Sequence, residues 1–268
     1  MTRTHVFSCG GGVQSTACLV LAAQGVIPYR TFIFANVGDH AESPDTIRYV
    51  AEVLKPYAQQ HGVEWIDVQR TARNGQVWDL YLNLYEAQRS VPIPAFMPGG
   101  MPGTRQCTDR YKIKPIARWI KKHAPGCTLG KGISTDEPAR AKPGRESDAY
   151  ISAYPLIELG YSREDCLRVA REARLPQPPK SSCWFCPFKT SDQWVTMRQE
   201  RPEMFRQAVD LEQHLQQIRA RIGKDPVYLS SVGGRKELNL EQAIPDQLGL
   251  FPAWYEEQHS CESGYCMT

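Results

Sequence analysis

Two groups of residues in this 268-residue chain have types and spacing that could do chemistry. The first is Ser8-Cys9-Gly10-Gly11-Gly12-Val13-Gln14-Ser15-Thr16. Bare glycine backbone between a short apolar strand and a helix N-terminus lets unpaired N–H groups approach an anion closely, and the helix dipole favours negative charge there. Ser8, Ser15 and Thr16 add hydroxyls, and Gln14 adds an amide. The stretch lacks the Gly-Lys-Ser/Thr ending of a Walker A loop and the Gly-x-Gly-x-x-Gly of a dinucleotide fingerprint. Glycines after a strand also form plain tight turns. The second group is Cys183-x-x-Cys186, flanked by Trp184, Phe185 and Pro187. It is a two-thiolate chelate that suits zinc or a redox pair. Zinc would want a second pair or close histidines, and none is evident.

The elements that must position these residues follow from periodicity. A buried strand precedes the glycines, and a helix follows over 13–24. Thr31–Asn36 is a continuous apolar run of strand length. A helical pattern over Pro44–His61 ends at Gly62, and Val63–Val68 is a third strand. A helix over Ile116–His123 leads to a fourth strand at Cys127–Ile133. Ser162 opens a capped helix running to Ala173. Strands alternating with helices of this length predict an α/β protein with a doubly wound, mostly parallel sheet, whose ligands sit beyond the carboxyl ends of the strands. Both Gly10–Ser15 and Asn36–Asp39 fall there. The character changes at Leu175-Pro176-Gln177-Pro178-Pro179, so residues 1–174 read as the main domain. Residues 175–268 read as a small cysteine-containing helical appendage, with helices at Ser191–Gln199 and Pro202–Ile222, then a short hairpin and a tail. The Pro- and Gly-rich, apolar stretch Ser90–Gly103 reads as a loop packed on the protein, with a substrate lid as the alternative.

The glycine stretch resembles the pyrophosphate loop (Ser-Gly-Gly-x-Asp-Ser) of the adenine-nucleotide alpha-hydrolase superfamily, whose members cleave ATP between its alpha and beta phosphates. Gly10 stands where the first Ser is usual, and Gln14 where an acid is usual. The Gly-Gly-Gly-Val-Gln-Ser-Thr form is similar to that of bacterial proteins of the phosphoadenosine-phosphosulfate (PAPS) reductase family. Cys107-x-x-x-x-Lys112-x-x-Pro115 and Gly132-Ile133-x-x-x-Glu137-x-x-Arg140 resemble further motifs of that family. The resemblance implies a nucleotide site of Ser8, Gly10, Gly11, Gly12, Gln14, Ser15, Thr16, Asn36, Asp39 and Glu137. It implies catalytic roles for Ser15, Lys112 and Arg140, with ATP and Mg2+ bound. It also implies that Cys107, where a cysteine pair is usual, joins Cys183 and Cys186 to hold a [4Fe–4S] cluster; Zn2+ at the same thiolates is the alternative. Three ligands leave one iron open, as in the cluster-dependent transfer-RNA thiolases, unless Cys261 or Cys266 closes the site.

The expected function is thus an ATP pyrophosphatase, giving AMP and pyrophosphate, that activates an acceptor for sulfur transfer. The motif form resembles most the ATP pyrophosphatase component of bacterial DNA phosphorothioation, which implies DNA as acceptor and a cysteine desulfurase as sulfur donor. Transfer-RNA thiolation, sulfonucleotide reduction and a non-catalytic nucleotide-binding regulatory subunit are the competing expectations. A net charge of +3 gives no global polyanion-binding field, so a nucleic-acid surface must be local. The candidate strip is Arg105, Arg110, Lys112, Lys114, Lys121 and Lys122. Nine cysteines without an export signal or a run of 18 apolar residues point to metal or redox chemistry in the cytoplasm, with no membrane partner. Cys9, Cys18, Cys127 and Cys166 lie in apolar patterns and are expected in the core.

Overall fold

In a computed structural model, residues 4–88, 91–141 and 149–244 are described. Cys261 and Cys266 lie outside them, as does Ser90. The chain divides into two compact units, neither of them one stretch of sequence. Among the described residues, the first comprises 4–79 together with Asp109–Ser182, and the second comprises Leu80–Thr108 together with 183–244.

The first unit is built on a five-stranded sheet of β1 (His5–Cys9), β2 (Thr31–Asn36), β3 (Glu64–Gln69), β4 (Cys127–Lys131) and β5 (Tyr150–Ala153). Every pairing is parallel, and the order is β3-β2-β1-β4-β5. Strand pleating sends alternate residues to opposite faces. Phe7, Cys9, Phe32 and Phe34 pack into a core with the helix α1 (Val13–Ala23), α2 (Pro44–Tyr49) and Arg163–Glu172. Val6, Ile33, Ala35 and Leu129 face the other way, against Ile116 and Ile120 of the Lys114–His123 segment and its C-cap, Ala124. With helices on both faces the strands must be apolar throughout, which is why Thr31–Asn36 reads as an unbroken run. β5 carries no such signal; four residues of mixed character at a sheet edge fall below what periodicity can register.

The 44–61 pattern forms a helical run interrupted by a π turn at Val50–Leu54 and resumed at Lys55–Gln60. A second π turn, Asp109–Ile113, leads into Lys114–His123. The Ser162 start is a reciprocal cap: Asp165 N–H donates to Ser162 Oγ at 3.1 Å, and Ser162 N–H donates to Asp165 Oδ2 at 2.9 Å.

The second unit is helical: Leu80–Glu86, Gln106–Thr108, Ser191–Glu200, Pro202–Arg221, Ser231–Lys236 and Leu240–Ala243. Over residues 223–244 two short helices stand where a hairpin was expected, and the rest of that expectation and the tail lie outside the described residues. Ser230 and Asn239 accept N–H groups of Gly233 and Gln242 as N-caps, a local chemistry that outcompetes a turn between strands. The Pro/Gly loop packs inside this unit, with Ile93, Ala95 and Phe96 buried. Phe96 and Tyr228 exchange two backbone hydrogen bonds of 2.8 Å.

Glu212, fully buried on the Pro202–Arg221 helix, accepts Leu229 N–H at 2.6 Å and Leu240 N–H at 2.5 Å. Burial outweighs these donors and pushes its carboxyl up to about 7. Between the ordinary carboxylate range and that value the unfolded chain loses a proton that the folded chain keeps. Stability is therefore full at the acid end of this window and falls as pH rises through it. On the order of 3 kcal/mol should be lost between about pH 4.5 and 7. Denaturant titrations across that range should record the loss, and Glu212→Gln should flatten it; an unchanged slope in a folded Glu212→Gln variant would assign the pH dependence elsewhere.

Candidate functional site

The sheet order reverses between β1 and β4, and the crevice at such a reversal is where open α/β sheets take ligands. The glycine loop leaves β1 at that point. Gly12 is the N-cap of α1, with no side-chain cap and no acid in the first turn, so the helix presents its N-terminal N–H groups uncompensated. Ser15 and Thr16 are fully buried and brace the loop: Gly10 N–H donates to Ser15 Oγ at 2.9 Å, and Thr16 Oγ1 donates to Gly12 O at 3.0 Å. Ser8 is half-buried within β1. Gly11, at φ +76°, is in the left-handed region, and a β-carbon there would lie 3.0 Å from both Thr46 Cγ2 and Val50 Cγ2. A β-carbon on Gly12 would lie 3.2 Å from Ser181 Cβ. The 179–182 segment thus crosses the loop, with Ser181 Oγ donating to Gly10 O and Ser182 O accepting from Ser43 N–H at 3.1 Å.

The segment after β4 closes the other side. A β-carbon on Gly132 would lie 3.2 Å from Gln14 Cβ. Gln14 Nε2 is 3.5 Å from Ser134 Oγ, which donates to Asp136 Oδ2 at 3.0 Å. Gln14 is therefore a link between the two loops. Glu137 and Arg140 form a buried ion pair of 2.5 Å, with side chains 10% and 7% exposed. Arg140 Nε and Nη2 are buried without a hydrogen bond. Two donors of a buried guanidinium left unused are costly unless a ligand takes them.

Asn36 and Asp39 are engaged with their own turn: Asn36 Nδ2 donates to Asp39 Oδ1 at 2.7 Å, and Gly38 N–H donates to Asn36 Oδ1 at 2.9 Å. The residue that the sequence did not single out is Glu42. Its side chain is fully buried between this turn and α2, and Lys112 Nζ lies 4.0 Å from its Oε2. Arg70, past the end of β3, stacks between Trp78 and Tyr111 at 4.5 and 4.8 Å from the ring centroids. Of the basic strip, Lys112 turns to Glu42 and Lys114 pairs with Asp109 at 2.5 Å, while Lys121 and Lys122 stay exposed on the last helical turn.

In the second unit, Cys186 N–H donates to Cys183 O at 3.1 Å, so Cys183-x-x-Cys186 forms a tight turn. Cys186 is buried and Cys183 half-buried. Tyr81 packs 5.1 and 5.5 Å from the rings of Trp184 and Phe185. Arg105, two residues before Cys107, places its guanidinium 5.6 Å from the ring of Phe188, two residues after Cys186. Cys107 N–H donates to Pro92 O at 2.7 Å. Among the described residues no group of three or more His, Cys, Asp or Glu side chains is gathered to hold a metal ion. Soft donors are present, but a completed ligand set is not, among the described residues. Cys9, Cys18, Cys127 and Cys166 are buried, and burial pushes the Cys9 and Cys166 thiols up to about 12, well suited to core roles.

No protein-family model and no curated protein matches the chain. Among solved structures it is similar to a phosphoadenylyl-sulfate (PAPS) reductase from Candida auris in a phosphate complex, at 14% identity and a TM-score of 0.46, over 66% of this chain and 76% of that one. No helix among the described residues is long and apolar enough to cross a membrane. The functional assignment accordingly stands on the geometry of the site.

Proposed function

We propose that the first unit is an ATP pyrophosphatase that activates an acceptor for sulfur transfer. The observation that carries this reading is the uncapped N-terminus of α1 behind Gly10–Gly12 at the sheet reversal, a candidate anion site made of backbone. Lys112 and Arg140 supply the cationic side chains. An acceptor oxygen attacks the alpha phosphorus, the bond to the bridging oxygen breaks, and pyrophosphate leaves. The adenylated oxygen later departs with AMP when sulfur displaces it. For such a step the chain's work is electrostatic: N–H groups and cations meet negative charge as it moves onto the leaving pyrophosphate. Mg2+ would neutralise part of that charge. Ser15 holds the loop's shape through Gly10 rather than attacking anything.

The acceptor we propose is the DNA backbone, with a cysteine desulfurase supplying sulfur; exposed Lys121 and Lys122 offer a local basic surface for it. Incubating the protein with ATP labelled on the alpha and gamma phosphates tests the reading. AMP and pyrophosphate should form, faster with duplex DNA present. ADP and orthophosphate, or ATP bound but never cleaved, would replace it with a phosphatase or with a regulatory nucleotide-binding subunit.

We also propose that Cys107, Cys183 and Cys186 bind a [4Fe–4S] cluster, or zinc as the alternative occupant. The support is a chelating turn with soft donors, together with the contact of Arg105, near Cys107, on Phe188, near Cys186. Anaerobically purified protein should carry about four iron and four sulfide per chain. Serine at any of the three should remove them, whereas Cys18→Ser and Cys166→Ser should cost only packing. Metal analysis that finds neither iron nor zinc in wild-type protein would end the proposal.

A further inference from the structure

The first unit holds a carboxylate in an unusual place. Glu42 is 1% exposed, and neither of its side-chain oxygens makes a hydrogen bond. Four residues on, the fully buried Thr46 hydroxyl makes none either. Three buried oxygens are thus left without a donor, where burial alone would demand one. Lys112 Nζ, 4.0 Å from Oε2, is beyond hydrogen-bond length.

Thr46 packs against the glycine loop. The Thr46 methyl is what a β-carbon on Gly11 would meet, at 3.0 Å. Consecutive residues Ser181 and Ser182 tie Gly10 O on one side and Ser43 N–H, next to Glu42, on the other. A buried negative charge beside an anion site is electrostatically wrong on its own, because it repels the phosphates that the helix N-terminus attracts. It becomes favourable if a cation stands between carboxylate and phosphate. A hard divalent cation takes oxygen ligands, and Mg2+ in particular is held by one or two carboxylates completed by substrate phosphates and water. The first turn of α1 contains no acid that could do this.

We infer that Glu42 is the carboxylate ligand of the divalent cation that accompanies the nucleoside triphosphate, with the Thr46 hydroxyl as its neighbouring oxygen. The inference rests on the ATP reading above and adds to it the residue that holds the ion. Lys112, 4.0 Å from Glu42 before the ion arrives, can turn to phosphate once it has.

The test measures Mn2+ binding to the full chain by electron paramagnetic resonance with ATP present, and ATP binding in parallel by equilibrium dialysis, in wild type and Glu42→Gln. The variant should bind Mn2+ at least about tenfold more weakly while still binding ATP. If wild type binds ATP and Mn2+ and Glu42→Gln holds Mn2+ as tightly, the Glu42 assignment is overturned and the ATP reading survives. If wild type binds no ATP, both fall. A variant with normal Mn2+ affinity but altered ATP affinity in the absence of metal would make Glu42 a holder of Lys112, and again overturn the assignment. Should Glu42→Gln fail to fold, anomalous diffraction from wild-type crystals with Mn2+ and ATP decides. The ion should lie about 2.1 Å from a Glu42 oxygen, and an ion seated away from Glu42 refutes the proposal.

Discussion

Gly12→Val should abolish pyrophosphate release from ATP in a protein that still folds. Gly12 has φ −104° and ψ −167°, extended backbone that any residue adopts, so no conformational strain attends the change. What changes is space. The first added carbon would stand 3.2 Å from Ser181 Cβ, 3.5 Å from Ser181 N and 3.6 Å from Pro179 O, and valine adds two methyls beyond it. The 179–182 segment must give way or the methyls must turn into the mouth of the loop, where phosphate would approach the N–H groups. Overpacking of this kind costs about 1–3 kcal/mol of stability, whereas a misplaced phosphate costs about a hundredfold or more in rate. Gly11→Ala should behave in the opposite sense. Its φ of +76° disfavours any side chain, and the new carbon meets Thr46 and Val50 at 3.0 Å, so the thermal midpoint should fall first. Circular dichroism and a pyrophosphate assay on the two variants separate the effects. Wild-type rates in folded Gly12→Val would remove the loop as the phosphate site.

The contrast between these two glycines shows where sequence pattern stops being informative. That Gly10–Gly12 ends a strand and opens a helix was legible, because an apolar strand, a breaker and an apolar helix are all local. Which glycine is conformational and which is a matter of clearance depends on Thr46, Val50 and Ser181, and no local pattern reports them. β2 was legible to the residue since both its faces are buried. β5 was not, being four residues at an edge. Glu42 gave almost no signal: an acid in Asp39-His40-Ala41-Glu42-Ser43-Pro44 reads as an ordinary solvated turn before a helix. Its neighbours Lys112, 4.0 Å from Oε2, and Ser182, which accepts from Ser43 N–H, are distant in sequence. The basic strip errs in the opposite direction. Its charges look like one surface, yet Lys112 and Lys114 have acidic partners that only folding supplies. Arg105 belongs to the second unit, and Arg110 with the lysines to the first.

Arg140→Met is expected to have the largest combined effect on stability and activity. The side chains of Arg140 and Glu137 are about nine-tenths buried and 2.5 Å apart. Removing the cation leaves Glu137 as an uncompensated buried charge, at a cost of about 3–5 kcal/mol. That loss alone would not distinguish a structural pair from a site residue, since an unstable enzyme is also an inactive one. The double variant Glu137→Gln/Arg140→Met makes the distinction. With both charges gone, no buried ion is stranded, and most of the stability should return. Activity should not return, because Nε and Nη2, the two donor nitrogens that nothing among the described residues satisfies, would still be missing from the nucleotide. Pyrophosphate release in the double variant should stay at least about a hundredfold below wild type, in the range seen when a single preorganised donor to developing charge is deleted. Lysine at 140 should recover part of the stability but little of the rate, since one ammonium cannot reach Glu137 and occupy both donor positions. If the double variant recovers both its melting temperature and its turnover, Arg140 is a structural partner of Glu137 and the nucleotide site must be rebuilt without it.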